Sequence, residues 1–355
     1  MKISIIGAGN SGCAQACKLI ERGHEVCLIK TSHSLHDDNF DVIMSTGVIE
    51  CQDMTDGGKE KVFHISKATR DIADGLSDAD AVLVLTQSLQ HKELAPRVSP
   101  FLKSGQLVML IPGNMGSLQF LRHAKQPDIV FVEGESTPYD ARIISPGKVQ
   151  ILFKNIRNAV SFTRKSDEPL LEIVDKLFGR HKYLRTSIIE SALHNPNLVV
   201  HTVGTIMSAS RIEYAKGDFW LYREGFSPST WNIIEKLDAE KMAVMRYYGC
   251  KHAESYLDAC KWRNEEDLQM DSYAVFQSYA ATGGPKGPDS VNTRYITEDV
   301  PMGLCLLENL GTLADIPTPM TSALITLANA QLKTDFRAIA YPVTDYKDYV
   351  ETLMK

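Results

Sequence analysis

The sequence predicts an α/β protein with an N-terminal, Rossmann-type doubly wound parallel sheet and an all-helical C-terminal domain. Three observations support this fold class: a glycine-rich turn after the first apolar run, apolar runs that alternate with helical periodicity, and the near loss of strand patterns after residue 185. No linker rich in Pro, Gly or Ser separates the halves, so only the change of period places the boundary between domains 1–185 and 186–355.

The first 30 residues form one strand–helix–strand pattern. In KISIIGAGNSGCAQACKLIERGHEVCLIK an apolar run precedes the glycines, helical periodicity follows, and Gly23 ends the helix before a second apolar run. Further strand patterns at DAVLVLTQ, QLVMLIP and DIVFVEG are separated by helical ones. This alternation predicts a parallel sheet that binds its ligand at the carboxyl ends of the strands.

The two halves differ after this point. RIISPGKVQILFKNIRNAVSF has short strand patterns around a Pro-Gly turn, which favours an antiparallel edge to the sheet. Beyond residue 185 the helical patterns are NLVVHTVGTIMSASRIEYA, PSTWNIIEKLDAEKMAVMRYYG, EDLQMDSYAVFQSYA, PMGLCLLENLGTL and TPMTSALITLANAQL.

Composition excludes several classes of partner. The net charge of -6 leaves no basic excess for DNA or RNA, so no nucleic-acid partner is expected. The longest apolar runs fall far below the ~20 residues that span a bilayer, so no membrane partner is expected. A strand that starts at residue 2 leaves no room for a leader, which favours a cytoplasmic location. The seven scattered cysteines have no metal-ligand spacing, so we expect reduced thiols and no metal site.

GAGNSG is a candidate nucleotide-binding turn. Gly7 would make the tight turn, Gly9 would let the backbone approach a pyrophosphate, and Gly12 would let the helix pack close to the strand. Asn10 and Ser11 complete the turn at the positive end of the helix dipole. The alternative is a purely structural glycine turn, but the strand before it and the helix after it are the context that the motif requires. Residues 1–185 are therefore predicted to bind a dinucleotide.

The end of the second strand carries KTSH. A site specific for NAD usually has Asp or Glu here for the ribose hydroxyl, whereas Lys30, Thr31 and Ser32 suit a 2'-phosphate. NADP is therefore the favoured cofactor, with NAD possible. In the alternative interpretation, Lys30 is a solvated strand end and Asp37 or Asp38 contacts the ribose.

Two segments of the second half concentrate polar chemistry. In SALHNPNLVVHTVG, Asn195-Pro196 predicts a helix start, which puts Asn197 and His201 on one face; a histidine in such an apolar run is often a core residue. In NTRYITEDVP, Asp299 can be a helix N-cap and Arg294 a surface residue.

Taken together, these segments resemble the octopine/nopaline dehydrogenase family, the opine dehydrogenases. The resemblance covers nearly the whole chain: GAGNSG, LAPRVSPFLKSGQLVMLIPGNMG, ESTPYDARI, HNPNLVVH, RYITEDVP and PTPMTSALITLAN. The pairing of the Asn-Pro…His element with R-Y-x-x-E-D-V-P is its most specific part, and the length matches the shorter bacterial members.

The resemblance implies roles for particular residues. His201 is implied as the catalytic acid/base, Asp299 as its carboxylate partner and Arg294 as the binder of a 2-oxo acid carboxylate. Three residues of ESTPYDARI are candidates for substrate contact, with packing as the alternative for the last: Glu135, Thr137 and Tyr139. In PGNMG, Gly113 and Asn114 are expected beside the nicotinamide, or in a plain turn.

The implied activity is an NAD(P)H-dependent condensation of an amino acid with a small, pyruvate-like 2-oxo acid, followed by reduction of the imine. The apolar helices of the second half favour a homodimer. One alternative is a ketopantoate reductase-like enzyme that reduces a 2-oxo acid directly. Such enzymes use a lysine near the start of the helical half, and this chain has none between Lys182 and Lys216. A second alternative is a non-catalytic NADP-binding sensor.

Overall fold

In the computed structural model, which describes residues 1–282, 284 and 286–354, the chain forms two compact units. The first comprises Met1–Leu184 and the second Arg185–Lys355. This division lies one residue before the boundary that the change of period suggests.

The first unit is built on an eight-stranded sheet with the order β12-β11-β8-β7-β6-β1-β2-β5. Neighbouring strands pair in parallel from β5 to β8, and β11 pairs antiparallel with β8. The strands of this sheet are β1 (Lys2–Ile6), β2 (Glu25–Ile29), β5 (Lys67–Thr69), β6 (Ala81–Val84), β7 (Leu107–Leu110), β8 (Val130–Gly134), β11 (Ala159–Phe162) and β12 (Tyr183–Leu184). The predicted Rossmann-type sheet is confirmed.

A second sheet corrects the prediction for RIISPGKVQILF. This hairpin does not extend the main sheet; it joins a separate four-stranded sheet with the order β4-β3-β10-β9. Its strands are β3 (Val48–Asp53), β4 (Glu60–His64), β9 (Tyr139–Ser145) and β10 (Lys148–Lys154). Only AVSF, which is β11, pairs antiparallel within the main sheet, and β12 lies outside it at the edge. Periodicity marks a segment as a strand but does not tell which sheet supplies its partner.

Helices cover both faces of the main sheet. They are α1 (Asn10–Glu21), α2 (Asp37–Thr46), α3 (Ile72–Leu76), α4 (His91–Val98), α5 (Ser117–His123) and α6 (Leu171–Phe178). Along β1, Ile3 and Ile5 belong to the core that also contains residues of α1 and α6, whereas Ile6 belongs to the core with residues of α3, α4 and α5. Alternate residues of a strand point to opposite faces, so both faces of the sheet are buried.

The second unit is helical in the part of the chain that the structure describes, apart from one bridge between Trp220 and Gly287. Its helices are α7 (Ile188–Leu193), α8 (Asn197–Met207), α9 (Ala209–Ala215), α10 (Leu221–Glu224), α11 (Pro228–Tyr247), α12 (Tyr256–Asn264), α13 (Ser272–Thr282), α14 (Arg294–Thr297), α15 (Cys305–Leu313), α16 (Pro319–Leu332), α17 (Phe336–Ile339) and α18 (Thr344–Leu353). Serine hydroxyls at Ser187, Ser227 and Ser255 cap α7, α11 and α12 by accepting a backbone N–H three residues on.

A π-helical turn at Val300–Leu304 leads into α15. Such turns are rare, and they occur frequently at functional sites. Among the described residues, none of these helices combines the length and apolarity needed to cross a bilayer.

Candidate active site

The glycine turn after β1 has the geometry of a phosphate-binding turn. Gly7 has φ +123°, and a Cβ there would lie 2.5 Å from the carbonyl oxygen of Leu85. A Cβ on Gly12 would overlap the carbonyl oxygen of Gly7, so only glycine allows α1 to pack this close to the strand. A Cβ on Gly9 would meet only His36, at 3.6 Å, which leaves room for a pyrophosphate to approach the backbone.

The first turn of α1 offers backbone N–H groups at Asn10, Ser11 and Gly12, and it contains no acidic side chain. This is the arrangement that binds a phosphate at a helix N-terminus. The Asn10 side chain itself has a different role, because its Oδ1 accepts a hydrogen bond of 2.8 Å from the backbone N–H of Ile143 in β9. Asn10 therefore links α1 to the second sheet, and any cofactor contact would come from its backbone.

Lys30 is buried rather than solvated at the end of β2, with 6% of its surface exposed. Its ammonium group donates to Ser32 Oγ at 3.2 Å and to the carbonyl oxygen of Leu35 at 3.0 Å, and it lies 3.6 Å from Asp37. Lys30 thus holds the loop that follows β2 in place. The same ion pair includes Asp37, the residue that the alternative interpretation assigns to the ribose.

Sequence reasoning missed a second cation at this strand end. Arg70 directly follows β5, which pairs with β2, and it contacts Asp37 and Asp41 at 2.8 Å each. The backbone carbonyl of Thr31 accepts a bond of 3.4 Å from Arg97. The strand order, which periodicity does not reveal, brings these arginines to the end of β2.

The loop PGNMG follows β7, at the carboxyl edge of the parallel sheet. Asn114 has φ +49°, is buried, and donates to Ser88 Oγ at 3.0 Å. A Cβ on Gly113 would overlap the carboxylate of Glu133, so the loop passes directly over that side chain. Gly113 and Asn114 therefore form a packed turn at the sheet edge where a nicotinamide is expected.

Glu133, at the end of β8, is the buried group that organises this loop. Its carboxylate accepts hydrogen bonds from the backbone N–H groups of Met115 and Ser117 at 2.8 and 2.9 Å and from the Ser117 hydroxyl at 2.5 Å. Burial raises the pKa of Glu133 to about 7, although these hydrogen bonds to the charged form oppose the shift. Sequence reasoning did not single out Glu133, although a glutamate within the apolar run DIVFVEG could have indicated a buried carboxylate.

The candidates in ESTPYDARI lie in different surroundings. Glu135 is fully buried and directly follows β8. Thr137 donates to the carbonyl oxygen of Tyr139 at 3.2 Å. The Tyr139 ring lies 6.0 Å from the ammonium group of Lys18, at the end of α1 opposite the glycine turn. This placement favours the packing alternative for Tyr139.

In the second unit, the structure brings His201 and Asp299 together. The Nδ1 atom of His201 lies 2.7 Å from Oδ2 of Asp299, although the residues are 98 positions apart. Both side chains are buried, at 8% and 4% exposure. A carboxylate at Nδ1 favours the tautomer that carries its proton there, which leaves the lone pair of Nε2 to act as a base.

Asp299 begins the π-helical turn, but its side chain does not cap it. Instead it faces His201 and is hydrogen-bonded by the side chain of Asn197, which lies one turn before His201 on α8. Burial raises the pKa of Asp299 to about 7, against the charge of Arg294 and the hydrogen bond from Asn197.

Two tyrosines complete the surroundings of His201. The ring of Tyr295 stacks on the imidazole, with centroids 3.6 Å apart and planes 12° apart. The hydroxyl of Tyr222 lies 3.4 Å from Nε2. Neither tyrosine was singled out from the sequence, although Tyr295 adjoins Arg294 in RYITEDVP.

Arg294 lies in the same cluster, at the start of α14. Its side chain is 51% exposed, and its guanidinium lies 3.5 Å from Glu298, so it remains accessible to a ligand. Desolvation would lower the pKa of Arg294, but the charges of Glu298 and Asp299 outweigh it and raise the pKa. The guanidinium is thus charged and can bind a carboxylate through two parallel hydrogen bonds.

His194 differs from His201. It ends α7, and its Nε2 lies 2.6 Å from the backbone carbonyl oxygen of His252. Burial, followed by the charges of Arg185 and Lys241, holds the pKa of His194 well below its usual value. This environment suits a neutral core histidine.

Each of the two units matches a known protein family over most of its length. Residues 184–332 match the family described as NAD/NADP octopine/nopaline dehydrogenase, alpha-helical domain. Residues 3–155 match the family described as ketopantoate reductase PanE/ApbA.

Individual relatives span nearly the whole chain. An opine dehydrogenase of Arthrobacter sp. strain 1C is 29% identical over 343 residues, which is 94% of this chain and 91% of that protein. A structure of octopine dehydrogenase in complex with NADH and agmatine superposes with a TM-score of 0.77 at 18% identity, over 98% of this chain and 95% of that one. A structure of yersinopine dehydrogenase with bound NADP+ superposes with a TM-score of 0.74 at 15% identity. The superposition covers 99% of this chain and 97% of that one.

A glycine turn for a dinucleotide in one unit and a histidine–carboxylate pair in a helical one define the class of NAD(P)-dependent oxidoreductases. Within that class, the helical half matches the octopine/nopaline dehydrogenase family, and relatives along nearly the whole chain are opine dehydrogenases. The fold class expected from the sequence is confirmed, and so is the expected resemblance to this family.

Proposed function

We propose that this protein is an opine dehydrogenase that condenses an amino acid with a small 2-oxo acid and reduces the resulting imine with a nicotinamide cofactor. The observation that carries the proposal is the His201–Asp299 pair at 2.7 Å, with the accessible guanidinium of Arg294 in the same cluster. The reaction needs proton transfer and carboxylate recognition, and this cluster provides a group for each.

The dinucleotide supplies the hydride when it is bound. In this proposal, the turn of Gly7, Gly9 and Gly12 holds its pyrophosphate, helped by backbone N–H groups at the start of α1. Ser11 lies in this first turn, and Gly113 and Asn114 flank the nicotinamide from the carboxyl edge of the sheet.

Arg294 binds the carboxylate of the 2-oxo acid. A planar guanidinium forms two parallel hydrogen bonds with a carboxylate and so fixes which face of the neighbouring carbonyl is presented. Its half-exposed position beside Glu298 leaves donors available for this contact. The 2-oxo acid in this proposal is small, such as pyruvate.

His201 moves the protons. With Asp299 at Nδ1, its Nε2 can accept a proton from the ammonium group of the amino acid, and the carboxylate stabilises the imidazolium that forms. The same imidazolium can then protonate the hydroxyl group that leaves as water when the imine forms. Glu135 and Thr137 remain candidates for substrate contact in the first unit.

NADP is the cofactor that we favour, because Lys30 and Arg70 place two cations at the end of β2 near Thr31 and Ser32. NAD remains the alternative, since both cations also contact Asp37. Comparing kcat/KM for NADPH and NADH decides between them.

The proposed function is tested by following NADPH and NADH oxidation with pyruvate or 2-oxoglutarate against the twenty amino acids. We expect oxidation that requires both an amino acid and a 2-oxo acid, and a secondary amine product by mass spectrometry. Stoichiometric cofactor binding without turnover over the whole panel would instead support a sensor.

Direct reduction of a 2-oxo acid is the second candidate, because residues 3–155 match the ketopantoate reductase family. The absence of lysine between Lys182 and Lys216 speaks against it. Omitting the amino acid from the assay separates the two reactions, since direct reduction continues without an amine and yields a hydroxy acid.

The proposal also includes a homodimer located in the cytoplasm. Apolar side chains exposed on the helical unit, among them Met207 and Leu327, supply surface that a second copy could cover. Light scattering coupled to size-exclusion chromatography measures the oligomeric state directly.

A further inference from the structure

We propose that the hydroxyl of Tyr222 relays the proton between Nε2 of His201 and the reacting group of the substrate. This inference rests on the proposed function and adds a third member to its proton-transfer path. The starting observation is the 3.4 Å separation between the Tyr222 hydroxyl and Nε2, on the side of the imidazole opposite Asp299.

A substrate proton can reach the imidazole of His201 at Nε2. Nδ1 is engaged by Asp299, and one face of the ring is covered by the stacked ring of Tyr295. With the proton on Nδ1, Nε2 is an acceptor, so the Tyr222 hydroxyl donates to it. Catalytic hydrogen bonds are often long in unliganded structures, and 3.4 Å fits a contact that shortens when substrate binds.

Packing holds the Tyr222 ring in place. The ring of Tyr279 meets it edge-on at 5.2 Å, and Phe226 and Phe276 lie 6.2 and 6.4 Å away. A Cβ on Gly284 would lie 3.0 Å from Cβ of Tyr222, so the backbone there contacts the tyrosine closely. The hydroxyl is therefore positioned by the aromatic cluster and not by chance rotation.

A glycine on α8 lets the short helix α10 reach His201. Gly204 lies three residues after His201, on the same face of α8. A Cβ on Gly204 would lie 2.8 Å from Leu221 Cδ1 and 3.0 Å from Phe226 Cζ. Because Gly204 has no side chain, Leu221 packs closely on α8, and the adjacent Tyr222 lies next to His201.

Tyr222 also lies within electrostatic range of Arg294, whose pKa responds to both Tyr222 and Tyr295. The hydroxyl is thus near the guanidinium that would hold the 2-oxo acid. The Tyr222 hydroxyl is therefore close both to Nε2 and to the proposed carboxylate site, where the reacting atoms of the substrate would bind.

The relayed step conserves atoms and charge. When the carbinolamine loses its hydroxyl group, Tyr222 donates its proton to that oxygen and receives the proton of Nε2–H from the His201 imidazolium. The C–O bond breaks and water leaves with its electron pair. The nitrogen lone pair forms the C=N bond of the iminium, and His201 becomes neutral.

Tyr222→Phe tests the relay, because it removes only the hydroxyl. We expect kcat for condensation to fall by roughly tenfold to a hundredfold, with a shifted pH profile and an unchanged KM for the cofactor. The matched control is Tyr273→Phe, which removes a hydroxyl from the same aromatic cluster, where Tyr273 packs on Trp231. Wild-type kcat and pH profile in Tyr222→Phe would overturn the proposal.

A second readout does not need turnover. The ¹⁵N chemical shift of His201 Nε2, assigned with His201→Gln, is expected to change in Tyr222→Phe and not in Tyr273→Phe. An unchanged shift would show that the hydroxyl does not contact Nε2. If the wild type fails to condense any substrate pair, the proposed function fails, whereas an active wild type with an unaffected Tyr222→Phe variant refutes only the relay.

Discussion

Each unit buries one carboxylate whose pKa burial raises to about 7: Glu133 in the first and Asp299 in the second. Glu133 accepts its hydrogen bonds from Met115 and Ser117, whose donor groups do not titrate near neutral pH. Asp299 faces the imidazole of His201 at 2.7 Å. Burial alone therefore does not make a carboxylate catalytic, and the chemistry depends on what the carboxylate faces.

Two buried histidines of the second unit, His194 and His201, illustrate the same point. His194 contacts a backbone carbonyl, and burial, together with its cationic neighbours, lowers its pKa and keeps it neutral. His201 contacts a carboxylate, which stabilises its charged form. His194 directly follows α7 and His201 lies on α8, and their different partners support packing for the first and the proposed proton transfer for the second.

Removing His201 should have the largest effect. His201→Ala deletes the proposed acid/base, so we expect turnover to fall by roughly two to four orders of magnitude, with cofactor affinity almost unchanged. Steady-state kinetics and a cofactor titration measure both. His194→Ala is the comparison variant, and we expect it to lower the free energy of unfolding and to leave turnover largely unchanged. Near-normal turnover in His201→Ala would remove the distinction between the two histidines.

Asp299→Asn should come next. The amide keeps the shape but does not stabilise the imidazolium, so we expect turnover roughly a hundredfold lower. The pH profile of kcat should change as well, because the carboxylate no longer shares a proton with His201. A variant with the activity and pH profile of wild type would show that Asp299 is as passive as Glu133.

Arg294→Ala should affect one substrate selectively. Loss of a paired, charge-assisted contact of ~1.5–3 kcal/mol predicts a KM for the 2-oxo acid that is roughly ten- to a hundredfold higher. The KM for the amino acid should change much less. Equal changes in both Michaelis constants would indicate a structural arginine, paired only with Glu298.

Glu133→Gln should affect turnover least and stability most clearly. The folded state raises the pKa of Glu133 from 4.5 to about 7, so it binds more protons than the unfolded state between these values. The free energy of unfolding should therefore fall as pH rises from 4.5 to 7, by about 3 kcal/mol at most, and level off above.

The glutamine variant should lose that slope and be less stable below pH 7, because its amide group faces an N–H donor. Turnover at saturating cofactor should stay close to that of wild type. Chemical denaturation across the pH range, with kinetics at one pH, tests both. A large loss of turnover in the folded variant would mean that Glu133 has a role like that of Asp299.

Patterns among neighbouring residues predicted much of the fold. The glycines of GAGNSG predict such a turn from the sequence alone, because glycine readily adopts the positive φ that Gly7 has here. The loss of strand periodicity after residue 185 anticipated the helical unit for a similar reason, since periodicity is a property of contiguous residues. By contrast, Tyr139 and the side chain of Asn10 were assigned from motif position, and the packing of β9 on α1 gives them other contacts.

What the sequence by itself determined is therefore the class of fold, the glycine turn and, through family resemblance, the identity of the histidine, acid and arginine. Only the tertiary structure decided which strands share a sheet, that Arg70 reaches the end of β2, and that Tyr222 and Tyr295 surround His201. The physical reason is that these contacts join residues distant along the chain, and their geometry comes from packing, which periodicity and local propensity do not encode.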